Sequence, residues 1–175
     1  QENELRYSLR SVEMHLKDFR NIFVIGKKPS FLNDQVIEIP HLDIFQNKAR
    51  NIMVKIHRAC RDERVSSDFM VFNDDYFLLQ PFSAKNYPYY YKCDLTHTVA
   101  IQFNEYKKHA KATLDLLIQS GLKTTNFDSH YPILYNKDKF IHSVPHLYSF
   151  SVEIFPHLFV VLIFLGRRNS RKNKN

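Results

Sequence analysis

Two adjacent carboxylates, Asp74 and Asp75, close an apolar run that starts at Phe69 and continues through Phe72 and Asn73 to Leu78. Carboxylates next to buried hydrocarbon are costly unless a cation neutralises them. Hard divalent ions such as Mg2+ or Mn2+ take oxygen ligands and commonly bridge a carboxylate to a substrate phosphate. Successive side chains on an extended backbone point to opposite sides, so one aspartate can ligate while the other orients its neighbours. The same residues also suit a solvated turn, since Asn and Asp are frequent turn formers. Both readings stand on the motif alone, although Phe72 before it and Phe77-Leu78 after it make a simple exposed turn less comfortable.

Three further groups could contribute. Asp128 and His130 share the loop Asn126–Pro132, where His130 is either a base or metal ligand or a structural histidine. Arg6 and Arg10 form a stripe on the opening segment, a solvated face or, through Arg6, a bidentate phosphate partner; Lys55 is a similar candidate further on. The run Tyr87–Tyr91 with Pro88 either stacks on a base or sugar ring or packs as an aromatic loop.

Composition removes several classes. Only 3 glycines occur in 175 residues, so Gly-rich phosphate loops of the Walker or dinucleotide type are not available. The net charge is +7, but Arg167, Arg168, Arg171, Lys172 and Lys174 crowd the last residues. The remainder is mildly basic, which suits an anionic small ligand, and no nucleic-acid partner is expected. Cys60 and Cys93 lack metal-ligand spacing and read as reduced thiols of a cytoplasmic protein.

The elements that must position these groups follow from periodicity. Leu5, Leu9, Val12 and Leu16 predict a helix over about residues 4–17, with Asn3 as its cap. Ile22–Ile25 and Val36–Ile39 read as short strands, and Ala49, Ile52, Ile56 and Cys60 as a second amphipathic helix. Phe69–Phe72 is a strand leading into the acidic pair. Tyr106, Ala110, Leu114 and Leu117 mark a helix stopped by Gly121, followed by a strand at Ile133–Tyr135 and a small helix at 137–143. Alternation of this kind predicts an α/β fold with a mostly parallel sheet flanked by helices. Ligands of open sheets bind beyond the carboxyl ends of the strands, where Asp74-Asp75 would fall.

The chain divides into a unit over 1–146 and a segment over 147–175. In the latter, Leu158–Leu165 is the one clean apolar run, too short for a spanning helix of about 20 residues, and a basic cluster follows it. The expectation is a buried segment with a basic tail; membrane attachment through the tail is the lesser alternative.

Asn3-Glu-Leu-Arg-Tyr-Ser-Leu-Arg-Ser-Val-Glu13, Asn21–Gly26 and Phe72–Leu78 together resemble the second conserved region of the Stealth family. That family comprises sugar-phosphate transferases of bacterial capsule synthesis and a related eukaryotic lysosomal-enzyme phosphotransferase. With Ile39-Pro-His41, Asn51–Lys55 and His130–Tyr135 added, the chain is more similar to a compact bacterial and phage branch, usually called glycosyltransferases, and the resemblance covers about residues 2–146.

The resemblance implies a GT-A-like nucleotide-sugar fold, here expected to lack its first strand, and Mn2+ or Mg2+ at Asp74 and Asp75. It further implies donor binding by Glu4 and Arg6, to which Lys55 of the second helix is added as a weaker candidate, and catalysis by Asp75 and His130. The expected activity is metal-dependent transfer from a nucleotide sugar, a UDP-sugar foremost, to a saccharide or lipid-linked acceptor in capsule or surface polysaccharide synthesis. The expected location is the cytoplasm, or the inner face of the membrane. The alternatives are sugar-1-phosphate transfer of the Stealth type and an inactive binding fragment of the same fold.

Overall fold

A computed structural model of the chain describes residues 2–46, 48–101, 105–128, 131–147 and 160–164. The first helix, α1 (Glu2–His15), presents Leu5, Leu9 and Val12 on one buried stripe, as the spacing predicts. It stops at His15, short of the expected end. Leu16–Lys17 instead forms a short strand, β1, paired in parallel with β5 (Phe82–Ser83). Asp18 then turns the chain in the left-handed region, with φ 62°. Asp is one of the few non-glycine residues that enters that region at modest cost.

The main sheet contains β2 (Ile22–Ile25), β3 (Val36–Ile39), β4 (Asp68–Phe72), β8 (Ile133–Asn136) and β9 (Val160–Phe164), in the order β3-β2-β9-β4-β8. Gly26 ends β2 with φ 127°, a conformation in which side chains are strained, and its amide donates to the Ile39 carbonyl at 3.0 Å. The strands β2, β3 and β4 share one direction, as the alternating pattern predicts. The expectation of a mostly parallel sheet is nevertheless corrected. β2 pairs with β3 in parallel, whereas β9 is antiparallel to both β2 and β4, and β8 is antiparallel to β4.

The reason lies in the connections. Helix α2 (Lys48–Cys60) carries the chain from β3 back to the start of β4, which sets their common direction. The route from β4 to β8 passes through α3 (Leu95–Ile101) and α4 (Glu105–Gln119), which pack on each other around Leu95, Ala110 and Leu114. The chain returns from that satellite in the opposite sense. β9, which follows α5 (Lys137–Leu147), enters the slot between β2 and β4 from the same side.

Alternation along the strands sorts two cores. Phe23, Ile25, Phe69 and Val71 face α2 and α5, meeting Ile56, Ala59, Cys60 and Phe140. Val24, Met70 and Phe72 face the other way and meet Leu5, Leu9 and Val12 of α1. The result is helices on both faces of one sheet. Full burial of a side chain such as Phe69 or Phe23 contributes about 1.5–3 kcal/mol.

Two small features complete the satellite. α4 ends at Gly121, φ 65°, with Leu122 N–H donating to the Leu117 carbonyl at 2.8 Å, the expected glycine stop. β6 (Cys93–Asp94) and β7 (Thr125–Asn126) then form an antiparallel pair. Both cysteines are free. No helix among the described residues is long and apolar enough to cross a membrane.

Candidate functional site

β4 delivers the acidic pair. Phe69, Met70 and Phe72 are fully buried, so the strand is clamped between the two helical layers up to its last residue. The chain then turns, with Tyr76 N–H donating to the Asn73 carbonyl at 3.2 Å. Two residues later the Leu78 amide donates to Ser11 Oγ at 2.9 Å, which ties the far side of the turn to α1.

This turn separates the two aspartates. Asp74 is 4% exposed, while Asp75 lies open to solvent. Burial pushes the Asp74 carboxyl above the usual carboxylate range, partly countered by its own backbone amide and reinforced by the charges of Asp75 and Glu4. No lysine or arginine forms an ion pair with Asp74 or Asp75 among the described residues. The turn therefore gathers negative charge, with Glu4 of α1 close enough to add to it.

A second arm approaches from the satellite. The Tyr106 hydroxyl donates to Asp128 Oδ2 at 2.6 Å, and the Asp128 amide donates to Asn126 Oδ1 at 2.9 Å. Asn126 is itself buried, with Nδ2 donating to Thr98 Oγ1 at 3.0 Å. The Tyr76 phenol is pushed up to about 12 by burial, and next by the charges of Asp75 and Asp128. Tyr76, which belongs to the acidic turn, is thus within range of the Asp128 charge as well. His130, expected to act beside Asp75, lies outside the described residues.

Among the other expected site residues, Arg6 rests its guanidinium over the Phe31 ring, 4.2 Å from the centroid, on the exposed side of α1. Lys55 is buried on α2, and its Nζ lies 2.8 Å from Asp43 Oδ1 in the loop after β3. That pairing commits its charge locally instead of bringing it to the acidic turn. Of the residues expected to bind donor, Glu4 is the one whose charge the structure couples to Asp74.

Sequence spacing marks as a site residue neither Tyr76, which feels the charges of both Asp75 and Asp128, nor Tyr106, which holds Asp128. Tyr106 read as a core position of α4, and nothing local distinguishes a packed phenol from one whose hydroxyl holds a carboxylate. The Tyr87–Tyr91 run is divided in the same way. Tyr87 packs against Phe82 and donates to the Pro132 carbonyl at 2.7 Å, while Tyr90 stacks on Tyr131 at 4.7 Å with both rings about half exposed.

No group of three or more His, Cys, Asp or Glu side chains is placed to hold a metal ion among the described residues. The two carboxylates still fit a hard cation of the weakly held kind. Mg2+ sites commonly use one or two carboxylates and leave the rest of the shell to water and substrate phosphates. A buried carboxyl raised by desolvation and lacking a described cationic partner is a donor such an ion would satisfy.

Comparison with known proteins gives the same region prominence. A family model described as Stealth protein CR2, conserved region 2, matches residues 1–97. The chain is 43% identical over 84 residues to the mouse (Mus musculus) N-acetylglucosamine-1-phosphotransferase subunits alpha/beta, covering 41% of this chain and 7% of that protein. The human (Homo sapiens) counterpart is 40% identical over 84 residues, covering 41% of this chain and 6% of that protein. An exopolysaccharide phosphotransferase of Streptomyces coelicolor is 30% identical over 94 residues, covering 49% of this chain and 16% of that protein. The matched part therefore spans less than a fifth of each of these relatives. No solved structure matches.

Proposed function

The chain belongs to the Stealth family, and from that premise we propose that it forms the acidic-turn portion of a sugar-phosphate transferase acting on a nucleotide-activated sugar. The observation that carries this reading is Asp74, a desolvated carboxyl at the carboxyl end of β4 with Asp75 beside it and no described cationic partner. The relatives named as phosphotransferases support transfer with the phosphate retained. Transfer of the sugar alone, placed first on sequence grounds, ranks behind it. The common direction of β2, β3 and β4, with the acidic turn at their carboxyl ends, supports a GT-A-like arrangement.

In the proposed reaction an acceptor hydroxyl oxygen attacks the sugar-linked phosphorus of the donor. A new phosphodiester bond forms, the bond to the nucleoside monophosphate breaks, and that monophosphate leaves with the electron pair. A divalent ion bound by Asp74 and Asp75 would neutralise charge on the diphosphate. Glu4 and Asp75 increase the negative field that draws a cation to Asp74. His130 is the proposed acceptor of the hydroxyl proton.

The test is mass spectrometry of products formed from UDP-N-acetylglucosamine, Mn2+ and a saccharide acceptor. A product heavier by a hexosamine phosphate is expected, with loss of turnover in Asp75→Asn. A product heavier by hexosamine alone would replace this reading with simple sugar transfer.

A further inference from the structure

The outer edge of the sheet carries a concavity on residues other than those of the acidic turn. β3 is the edge strand, and a groove of about 670 Å³ lies between it, the loop that follows it and α2. That volume is within the range of small-molecule sites. Its polar lining is Lys27, Glu38, His41, His57, Arg58 and Arg61.

The charge in this lining is lopsided. Lys27, Arg58 and Arg61 are all exposed, face a single carboxylate, Glu38, and form no ion pair among the described residues. The two histidines feel the imbalance. Burial lowers His41 first, and the neighbouring Lys55 and Arg58 add to this against Asp43; burial and Arg61 lower His57. His41 Nε2 is also buried without a hydrogen-bond partner. A buried ring nitrogen lacking a partner costs free energy that a ligand oxygen would recover.

A concave surface of one sign focuses potential and concentrates ions of the other. Two planar guanidinium forks at its mouth suit an oxyanion that offers several acceptor oxygens, as a phosphate does. The groove is also distinct from the acidic turn. With the order β3-β2-β9-β4-β8, β3 lies three strand spacings from β4, roughly 14 Å at about 4.8 Å per strand. One cation held at Asp74 cannot coordinate an anion seated beside β3.

We propose that the groove between β3 and α2 is a second ligand site, which takes a phosphate-bearing ligand with its oxyanion on Arg58 and Arg61 and a hydrogen bond to His41. The site stands on its own residues and does not depend on the transferase reading. The phosphate can come from a nucleotide or from a phosphorylated sugar, and the groove chemistry is common to both.

The test is calorimetric titration of the full chain with inorganic phosphate, uridine monophosphate and glucose 1-phosphate, in EDTA so that no divalent ion recruits phosphate to Asp74. Binding of at least one probe is expected, weakened about tenfold or more in Arg58→Gln/Arg61→Gln, since a charge-assisted hydrogen bond contributes that much. Lys27→Gln should weaken the same probe by a smaller factor, and Asp74→Asn should leave it unchanged. A preference for uridine monophosphate assigns the ligand to nucleotides, a preference for glucose 1-phosphate to sugar phosphates, and equal binding of all three to the phosphoryl group alone. The matched control is Lys123→Gln/Lys139→Gln, which removes the same charge from exposed positions elsewhere. Equal weakening by that control, or no binding of any probe at millimolar concentration, overturns the proposal.

Discussion

Replacing Asp74 with asparagine should make the ligand-free protein more stable while abolishing its response to divalent ions. Asp74 is 4% exposed and its carboxyl is raised, with burial the leading cause. A raised folded-state value means the fold prefers the protonated form. The favourable contribution is complete below the ordinary value of 3.8 and is lost as pH rises through the folded-state value. Once pH exceeds the folded-state value, the native protein carries a carboxylate that the unfolded chain would solvate better. Asparagine keeps the shape and an acceptor for the backbone amide, and removes the charge. Relief of an unfavourable functional charge is commonly worth about 1 kcal/mol, or roughly 2–4 °C in melting temperature for a domain of this size. Saturating Mn2+ at about a hundred times its dissociation constant should stabilise the wild type by roughly 3 kcal/mol and Asp74→Asn by nothing. Thermal melts at pH 7 and pH 3.5, with and without Mn2+ and a nucleotide sugar, separate the terms. At pH 3.5 the advantage of asparagine should disappear. A loss of more than about 1 kcal/mol at pH 7 in Asp74→Asn would refute the argument, because it would make the carboxylate a structural anchor.

Three further outcomes follow from the same structure. Lowered His41 and His57 keep their stabilising contribution above the ordinary value of 6.5 and lose it as pH falls through the folded-state values; melting temperature should step down below pH 6.5, and His41→Gln should shrink the step. Asp43→Ala should cost about 1–3 kcal/mol by leaving the buried Lys55 ammonium unpaired, whereas Lys55→Met should cost less because Asp43 is half exposed; chemical denaturation of both variants compares them. Leu162→Pro should cost about 3 kcal/mol or more, measurable as loss of cooperative unfolding, because β9 is hydrogen-bonded on both sides and proline removes a donor from its ladder.

Sequence patterning resolves α1, β2, β3, α2 and β4 to within a few residues, since each carries its own period and is punctuated by Gly26, Pro40 or the acidic turn. It cannot resolve pairing. Leu158–Leu165 is equally a strand, a buried helical turn or a membrane-proximal segment by composition. Only the vacant slot between two strands of common direction makes Val160–Phe164 a central strand. Asp74 and Asp75 are interchangeable in sequence, and the turn decides which one is desolvated. Lys55 illustrates a different limit: the helical period shows that it lies on α2, but its partner Asp43 sits across a loop whose path no local pattern gives. The groove beside β3 has no signature in the sequence: His57 and Arg58 lie near the end of α2 and Arg61 just beyond it, and the concavity depends on how far α2 stands from the sheet edge.

The position of β9 also bears on how the protein is made. β3-β2 and β4-β8 have no direct pairing with each other; each half is joined to the other through β9, with Ile22 opposite Ile163 and Phe69 opposite Phe164. The sheet therefore cannot close until the last described strand has been synthesised. Such sequence-distant pairing slows folding, and until it forms, the facing edges of β2 and β4 remain open templates for other strands. The nascent chain is thus most exposed to intermolecular pairing in the interval before β9 arrives, and chaperone demand should be greatest there.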